Sequence, residues 1–180
     1  RPPDSAPFDA FAAFVDIAGD TALIGAPGAS RAGNDAGGRA YLFNAATGSN
    51  DWQYSQTLVD PNGASDDGFG FAIALGINPL RAYVGAPFST ESNSPGVGRA
   101  LEFRPSTSPG FDTDWTLVRR IDSPISAPGT QFATSLAAHP NGIVLGAIGI
   151  DAGGLPDTGA GFFAPHFNIA ELLTAPAFPR

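Results

Sequence analysis

The 180-residue chain has no cysteine. Disulfides, zinc–thiolate sites and cysteine nucleophiles are thereby excluded. It has no lysine either; all 9 basic residues are arginine, which, with the abundant alanine, glycine and proline, reads as genome composition rather than function. Charged residues amount to only 14%, and 17 acidic side chains set the net charge at −8. Binding a nucleic-acid backbone takes clustered Lys and Arg, so nucleic acid is not an expected partner. No apolar run approaches the roughly 20 residues that span a bilayer, and no membrane insertion is expected. The N-terminus shows no charged-then-apolar leader and no initiating Met, which reads as a mature or excised chain.

What is present is apolar and turn-rich. Hydrophobic residues make up 43%, with 14 Phe, 23 Gly and 17 Pro. That is enough for a sizeable core in one domain or a short repeat array. Phe11, Phe69 and Phe132 open three similar segments, 58 and 63 residues apart. Gly25-Ala26-Pro27, Gly85-Ala86-Pro87 and Gly146-Ala147-Ile148 follow them. From that Gly to a small residue opening a later run is 15 residues each time: Gly25 to Ala40, Gly85 to Ala100, Gly146 to Gly161. A constant offset across loops of unrelated sequence defines a threefold repeat.

Each unit reads as short strands. Phe14–Ile17 leads through Ala18-Gly19-Asp20 into Thr21–Gly25, a hairpin signature. Arg39–Phe43 is a third strand, preceded by a Gly suited to a bend or positive φ. Trp52–Leu58 alternates large and polar residues, as a half-buried outer strand does. The second unit repeats this at Ile73–Leu75, Arg81–Gly85, Ala100–Phe103 and Trp115–Ile121; the third gives Leu136–Ala138, Ile143–Gly146 and Gly161–Phe163. No Trp follows Phe163. Asn168 and Glu171 there form a capping box for one or two helical turns; a degenerate edge strand over Leu172–Phe178 is the equal alternative. Pro2–Ala10 matches the linker Asp60–Gly68, so the chain begins where a preceding unit would have ended. Four short antiparallel strands at a period near 60 describe propeller blades. The expected fold is all-β: three four-stranded blades, the last incomplete, in one array with blade 1 at about 8–68, blade 2 at about 69–131, blade 3 at about 132–166 and a tail at 167–180.

The Phe-Gly…Gly-Ala-Pro pattern resembles the FG-GAP repeat of integrin α-subunit propellers, and more closely the bacterial secreted form. The resemblance covers residues 8–163. The second unit matches letter for letter, while the first has Phe11-Ala12 and the third Phe132-Ala133 and Gly-Ala-Ile. It implies a β-propeller on an extracellular or surface protein, with roles in adhesion, recognition and assembly and no catalytic activity. It also raises a calcium loop between the first two strands. Here those connections are Ala18-Gly19-Asp20, Gly76-Ile77-Asn78-Pro79 and His139-Pro140-Asn141-Gly142, which lack the several oxygen ligands calcium requires. No cofactor is expected.

Asp60, Asp66 and Asp67 read as solvated turn residues rather than a cation site. Asp112 and Asp114 read as a turn into the Trp strand. His139 and His166 are the only histidines, and neither is spaced as a ligand or a general base. Arg39 and Arg99 occupy equivalent positions and read as structural. Trp52 and Trp115 read as blade core rather than sugar platforms. The loops after Gly-Ala-Pro vary between units, which makes Arg31, Asn34 and Asp35, with Ser89, Thr90, Glu91 and Asn93, the candidate recognition residues. Phe167, Leu172, Leu173 and Phe178 are the candidate assembly residues.

Three blades are too few to close a propeller, whose usual minimum is about four. The leading expectation is a non-enzymatic structural or adhesion protein, secreted or on the cell surface. Its partners are copies of itself, joined through the open ends in a ring or filament. The alternative is an extracellular binding module for a carbohydrate or protein ligand, part of a larger propeller.

Overall fold

The repeat seen in the sequence becomes a row of small sheets. A computed structural model describes residues 2–30, 37–106, 114–151 and 155–166, and every regular element among them is a strand. Blade 1 contains β1 (Phe14–Ala18), β2 (Thr21–Ala26), β3 (Arg39–Ala45) and β4 (Trp52–Leu58). Blade 2 contains β5 (Ala72–Gly76), β6 (Arg81–Ala86), β7 (Arg99–Pro105) and β8 (Trp115–Asp122). Blade 3 contains β9 (Phe132–His139), β10 (Gly142–Ala147) and β11 (Ala160–Pro165). Strands pair in chain order and antiparallel throughout, as sheets of 4, 4 and 3 strands. The tail residues 167–180, and with them the capping box and Phe167, Leu172, Leu173 and Phe178, lie outside the described residues.

The outer strand departs from simple alternation. β3 pairs Leu42 with Gln56 and Phe43 with Tyr54, so Ser55 is an extra residue in β4. β7 pairs Glu102 with Arg119 and Phe103 with Leu117, and Val118 is extra in the same place. A bulge of this kind inverts the side-chain alternation downstream of it. Trp52 and Leu58 therefore leave β4 on opposite faces, although period-two counting puts them on one. Trp52 joins the apolar group of Tyr41 and Phe43, and Leu58 joins the group of Leu23 and Leu42.

Each blade thus has two apolar faces, a leading face toward the blade before it and a trailing face toward the blade after it. The trailing face of blade 1, Leu23, Ala40, Leu42 and Leu58, packs on the leading face of blade 2, Phe69, Leu75, Val84, Leu101, Phe103 and Trp115. Tyr83, Ala100 and Ile121 of blade 2 pack on Phe132, Ile143, Leu145 and Ala147 of blade 3. Burying a Leu- or Phe-sized side chain contributes about 1.5–3 kcal/mol, so these joints, not the hydrogen-bonded ladders, hold the array together.

The repeated glycines and phenylalanines form a clasp across each joint. The Phe69 N–H donates to the Gly37 carbonyl at 2.9 Å, and the Phe132 N–H to the Val97 carbonyl at 2.8 Å. Beside those acceptors, Gly38 (φ +89) and Gly98 (φ +85) lie against the Phe backbone. A β-carbon on either would come within 2.3 Å of the incoming Phe carbonyl oxygen, and L side chains disfavour that φ. The small residue after each Phe crosses the Gly of Gly-Ala-Pro. A β-carbon on Gly25 would lie 2.1 Å from the Gly70 oxygen, and one on Gly85 2.4 Å from the Ala133 oxygen.

Candidate functional site

The strongest chemistry in the described residues sits at the joints. At the edge of the joint between blades 1 and 2, Arg99 opens β7 and is nearly wholly buried. Its Nε donates to Asp60 at 2.6 Å, Nη2 to Asp67 at 2.9 Å and Nη1 to Glu91 at 2.6 Å; Nη2 also reaches the Asn62 carbonyl at 3.3 Å. Asp60 and Asp67 are each only 4% exposed. The reading of these two as solvated turn residues is therefore corrected. They do close turns, Asp60 accepting the Asn62 N–H at 2.8 Å and Asp67 the Ala64 N–H at 2.9 Å. Their other lone pairs face Arg99, whose planar fork suits several carboxylates at once. Asp66 alone of the three is exposed.

Burial pushes the Asp67 carboxyl upward, against the Ala64 N–H and the Arg99 charge. Burial also opposes the charge on Arg99, but Glu91 and Asp60 outweigh it and raise the guanidinium above its ordinary value. Hydrogen-bond contacts on three sides are those of an ionised cluster, and an always-charged arginine carries it. Replacing Arg99 with alanine strands two buried carboxylates; the expected cost is about 3–5 kcal/mol. Arg99→Lys, which keeps the charge but not the fork, is expected to recover only part of it. Urea unfolding measures both, and an Arg99→Ala chain within about 1 kcal/mol of the parent would contradict the assignment.

The same corner is built differently in each blade. In blade 1, Arg39 pairs with Asp4, and Asp9 accepts the Ala6 N–H. In blade 3 the arginine is replaced by Ala160, and the two carboxylates by Ser123 and Thr130. Ser123 still closes its turn, accepting the Ile125 N–H at 3.2 Å, and Thr130 donates to the Ala127 carbonyl at 2.6 Å. Loss of the cation together with both anions fits the cost of a buried unpaired charge.

The loop after Gly85-Ala86-Pro87 is fixed by this cluster. Glu91 holds Arg99 and Arg120 with its two carboxylate oxygens, and its backbone pairs with Ser94 in both directions. Ser89 is fully buried, while Thr90 and Asn93 are exposed. Arg31, Asn34 and Asp35, and Asp112, lie outside the described residues. Asp114 is exposed, and its carbonyl accepts the Ser106 N–H at the entry to β8. His139 accepts the Asn141 N–H at 3.2 Å, closing a turn. Trp115 is core, and Trp52 is half-buried on the leading face of blade 1.

A second cluster, at the joint between blades 2 and 3, was not anticipated. Glu102, 0% exposed, is contacted by Arg81, by Arg104 at 2.8 Å and by Arg119 at 3.2 Å. Burial works against its charge, but hydrogen bonds from Arg104 and Arg81 outweigh it and lower the carboxyl below its ordinary value. Beside it the Tyr83 hydroxyl meets Nε2 of His166, whose Nδ1 lies 3.1 Å from the Pro140 carbonyl. Burial, then Glu102, pushes Tyr83 up to about 12. Burial, then Arg81, pushes His166 down. Arg119 reaches across the joint to the Pro165 carbonyl at 2.8 Å, as Gln56 reaches the Trp115 peptide at the other joint, at 2.9 and 2.6 Å. The signal was in the sequence: Arg81-x-Tyr83 and Glu102-x-Arg104 put polar groups on one face of two inner strands, where blade 1 has Thr21-x-Leu23 and Leu42-x-Asn44. No group of three or more metal-ligating side chains stands together among the described residues.

A scan against family models matches residues 1–43 to the FG-GAP repeat. No curated protein is matched. The matched segment ends in β3 of blade 1, and the strand layout and Phe–Gly clasp of that blade recur in the next two, so the described residues form an all-β array of propeller-type blades whose first 43 residues match the FG-GAP repeat.

Proposed function

We propose that this chain is a non-catalytic structural or adhesion module, acting outside the cell or at its surface, that completes its propeller by associating with copies of itself. The observation that carries this is a pair of exposed apolar faces, one on blade 1 and one on blade 3, that no other described blade covers. On the leading face of blade 1, Phe11, Ala22, Ile24, Phe43 and Trp52 line an open hollow, and Ile17 is 62% exposed. On the trailing face of blade 3, Val144 and Phe163 are 46% and 54% exposed. Exposed apolar side chains grouped on one sheet face are the kind of surface that marks an interaction site. The FG-GAP match supports a propeller-type binding or adhesion role, and repeats of this kind are typical of extracellular or surface proteins. No helix among the described residues is long and apolar enough to cross a membrane. The charged groups of the Arg99 and Glu102 clusters are paired with one another inside the joints, which fits a structural role better than catalysis.

Light scattering coupled to size-exclusion chromatography tests the reading. The expected result is a mass of several 18.3 kDa units at micromolar concentration, falling on dilution. A well-dispersed monomer throughout would overturn self-association. One observation favours the other reading, a module for a glycan or protein ligand: Thr90 and Asn93 stand exposed on a loop that Glu91 holds fixed. A glycan array whose signal is lost on replacing Thr90 and Asn93 would support that role instead.

A further inference from the structure

The joint between blades 1 and 2 is a worked example of how one blade seats on the next. It pairs an apolar trailing face, Leu23 and Leu42, with a leading face carrying Phe69, Val84, Phe103 and Trp115. Strand register gives the equivalents at the open ends. Leu23–Leu42 and Val144–Phe163 are directly opposed pairs on corresponding strands. Blade 3 thus ends in Val and Phe, the apolar kind of trailing face, not the Tyr83–Glu102 kind of blade 2. Blade 1 begins with Phe11, Ile24, Phe43 and Trp52, the residue types that the Leu23–Leu42 face receives.

The clasp parts are also in place, without their counterparts. Ala12 on the leading edge holds φ +67, where its Phe-Gly equivalent Gly70 holds +94. Its N–H donates to the Gly25 carbonyl at 3.1 Å, as that of Gly70 does to Gly85 at 3.0 Å. A left-handed alanine is costly, and this one keeps the clasp geometry on an edge that no other described blade covers. On the trailing edge Gly159 keeps φ +72, like Gly38 and Gly98, but a β-carbon there would meet only Ala147 and Ile148 of its own blade. A β-carbon on Gly161 would meet nothing within 4 Å.

Resting on the self-association proposed above, we infer that the leading face of blade 1 of one copy seats on the trailing face of blade 3 of another, repeating the joint between blades 1 and 2. The contact is head-to-tail, so the two copies use different surfaces, and the assembly grows into a ring or an open filament. The residues at the new joint are Phe11, Ala12 and Trp52 on one copy and Val144, Gly159 and Phe163 on the other.

The absence of native cysteine makes the test direct. In the internal joint Asp16 accepts the Leu75 N–H at 2.7 Å. The counterpart of Asp16 in blade 3 is Ala137, and that of Leu75 in blade 1 is Ile17. Ile17→Cys and Ala137→Cys, both at exposed sites, are prepared separately, mixed in equal amounts and oxidised. The expected product is the mixed disulfide dimer, well above the half share that random pairing gives, with little of either homodimer. If the chain is oligomeric by light scattering but only homodimers or a random mixture form, the head-to-tail joint is wrong and self-association stands. A strictly monomeric chain sinks both. If Ala137→Cys resists a thiol reagent in dilute protein, the trailing face is already covered and the inference fails.

Discussion

Replacing Glu102 with glutamine is expected to cost about 3 kcal/mol, since it leaves the buried Arg81 guanidinium, with the partly exposed Arg104 and Arg119 beside it, around a neutral amide. Truncating one member of a buried ionic group is costly because the others stay buried without their partner. Glu102 is fully enclosed, and Arg81, Arg104 and Arg119 all converge on it. Removing the enclosed members together, and leaving the partly exposed Arg104, is a different experiment. Blade 1 makes its joint with Thr21, Leu23, Leu42 and Gln56 at the equivalent positions. The fourfold variant Arg81→Thr, Tyr83→Leu, Glu102→Leu and Arg119→Gln is expected to recover most of the stability lost in Glu102→Gln. Guanidinium unfolding of the parent and both variants decides it; a single variant within about 1 kcal/mol of the parent would show that the cluster is not integral to the joint.

Acid should weaken the same joint first. Glu102 has a folded-state pKa below its ordinary 4.5, so its contribution is full above that value and lost as pH falls through the lowered one. His166 is likewise lowered from 6.5, so its contribution is present above 6.5 and lost as pH falls through the lower folded value. Stability should therefore begin to fall below about pH 6.5 and fall further below about pH 4.5. Hydrogen exchange should quicken in blade 3 before blade 1, and equal acid sensitivity of the two would contradict the assignment.

The second large effect belongs to Gly85→Ala. Its β-carbon would lie 2.4 Å from the Ala133 carbonyl oxygen, and the obstructing atom is backbone rather than a side chain that can rotate away. The clasp across the joint must shift, at about 3 kcal/mol, the upper end of ordinary overpacking. Gly161→Ala is the built-in control. A β-carbon there meets nothing within 4 Å, and Ala40 and Ala100 occupy the same position in the other blades. That change is expected to be neutral or to stabilise by about 0.4–1 kcal/mol. Thermal unfolding of both variants checks the contrast; similar losses would show that the clash is not the cause.

The fold was legible because repetition exposes what any one strand conceals. Phe11, Phe69 and Phe132 and the constant spacing to Ala40, Ala100 and Gly161 located the three described sheets, and the strand limits fell within a residue or two except at β9, which starts at Phe132, four residues before the expected Leu136. The bulges at Ser55 and Val118 were not legible, since an extra residue leaves no mark in a hydrophobic pattern while reversing which face Trp52 and Leu58 serve. The acidic linker was misread for a related reason. Asp60 and Asp67 do form turns, as their residue types indicate, but their burial depends on Arg99, which lies 39 and 32 residues away in sequence. The Glu102 cluster was readable only by comparing blades, where polar residues stand at positions that are apolar in blade 1.

A chain of look-alike sheets is at risk of pairing the wrong neighbours as it folds. The two joints answer that risk through their unlike contents. Were blade 3 to settle on blade 1 in place of blade 2, its Leu145 face would meet Leu23 and Leu42, and the arginines around Glu102 would be left without the covering that His166 and Pro165 supply. Were blade 2 to stack on itself in another copy, its Trp115 and Phe103 would be driven onto a charged carboxylate. Each misplacement is penalised by desolvation, so the ionic joint acts as a lock on blade order, and the order of the array is written into its interior rather than left to the linkers.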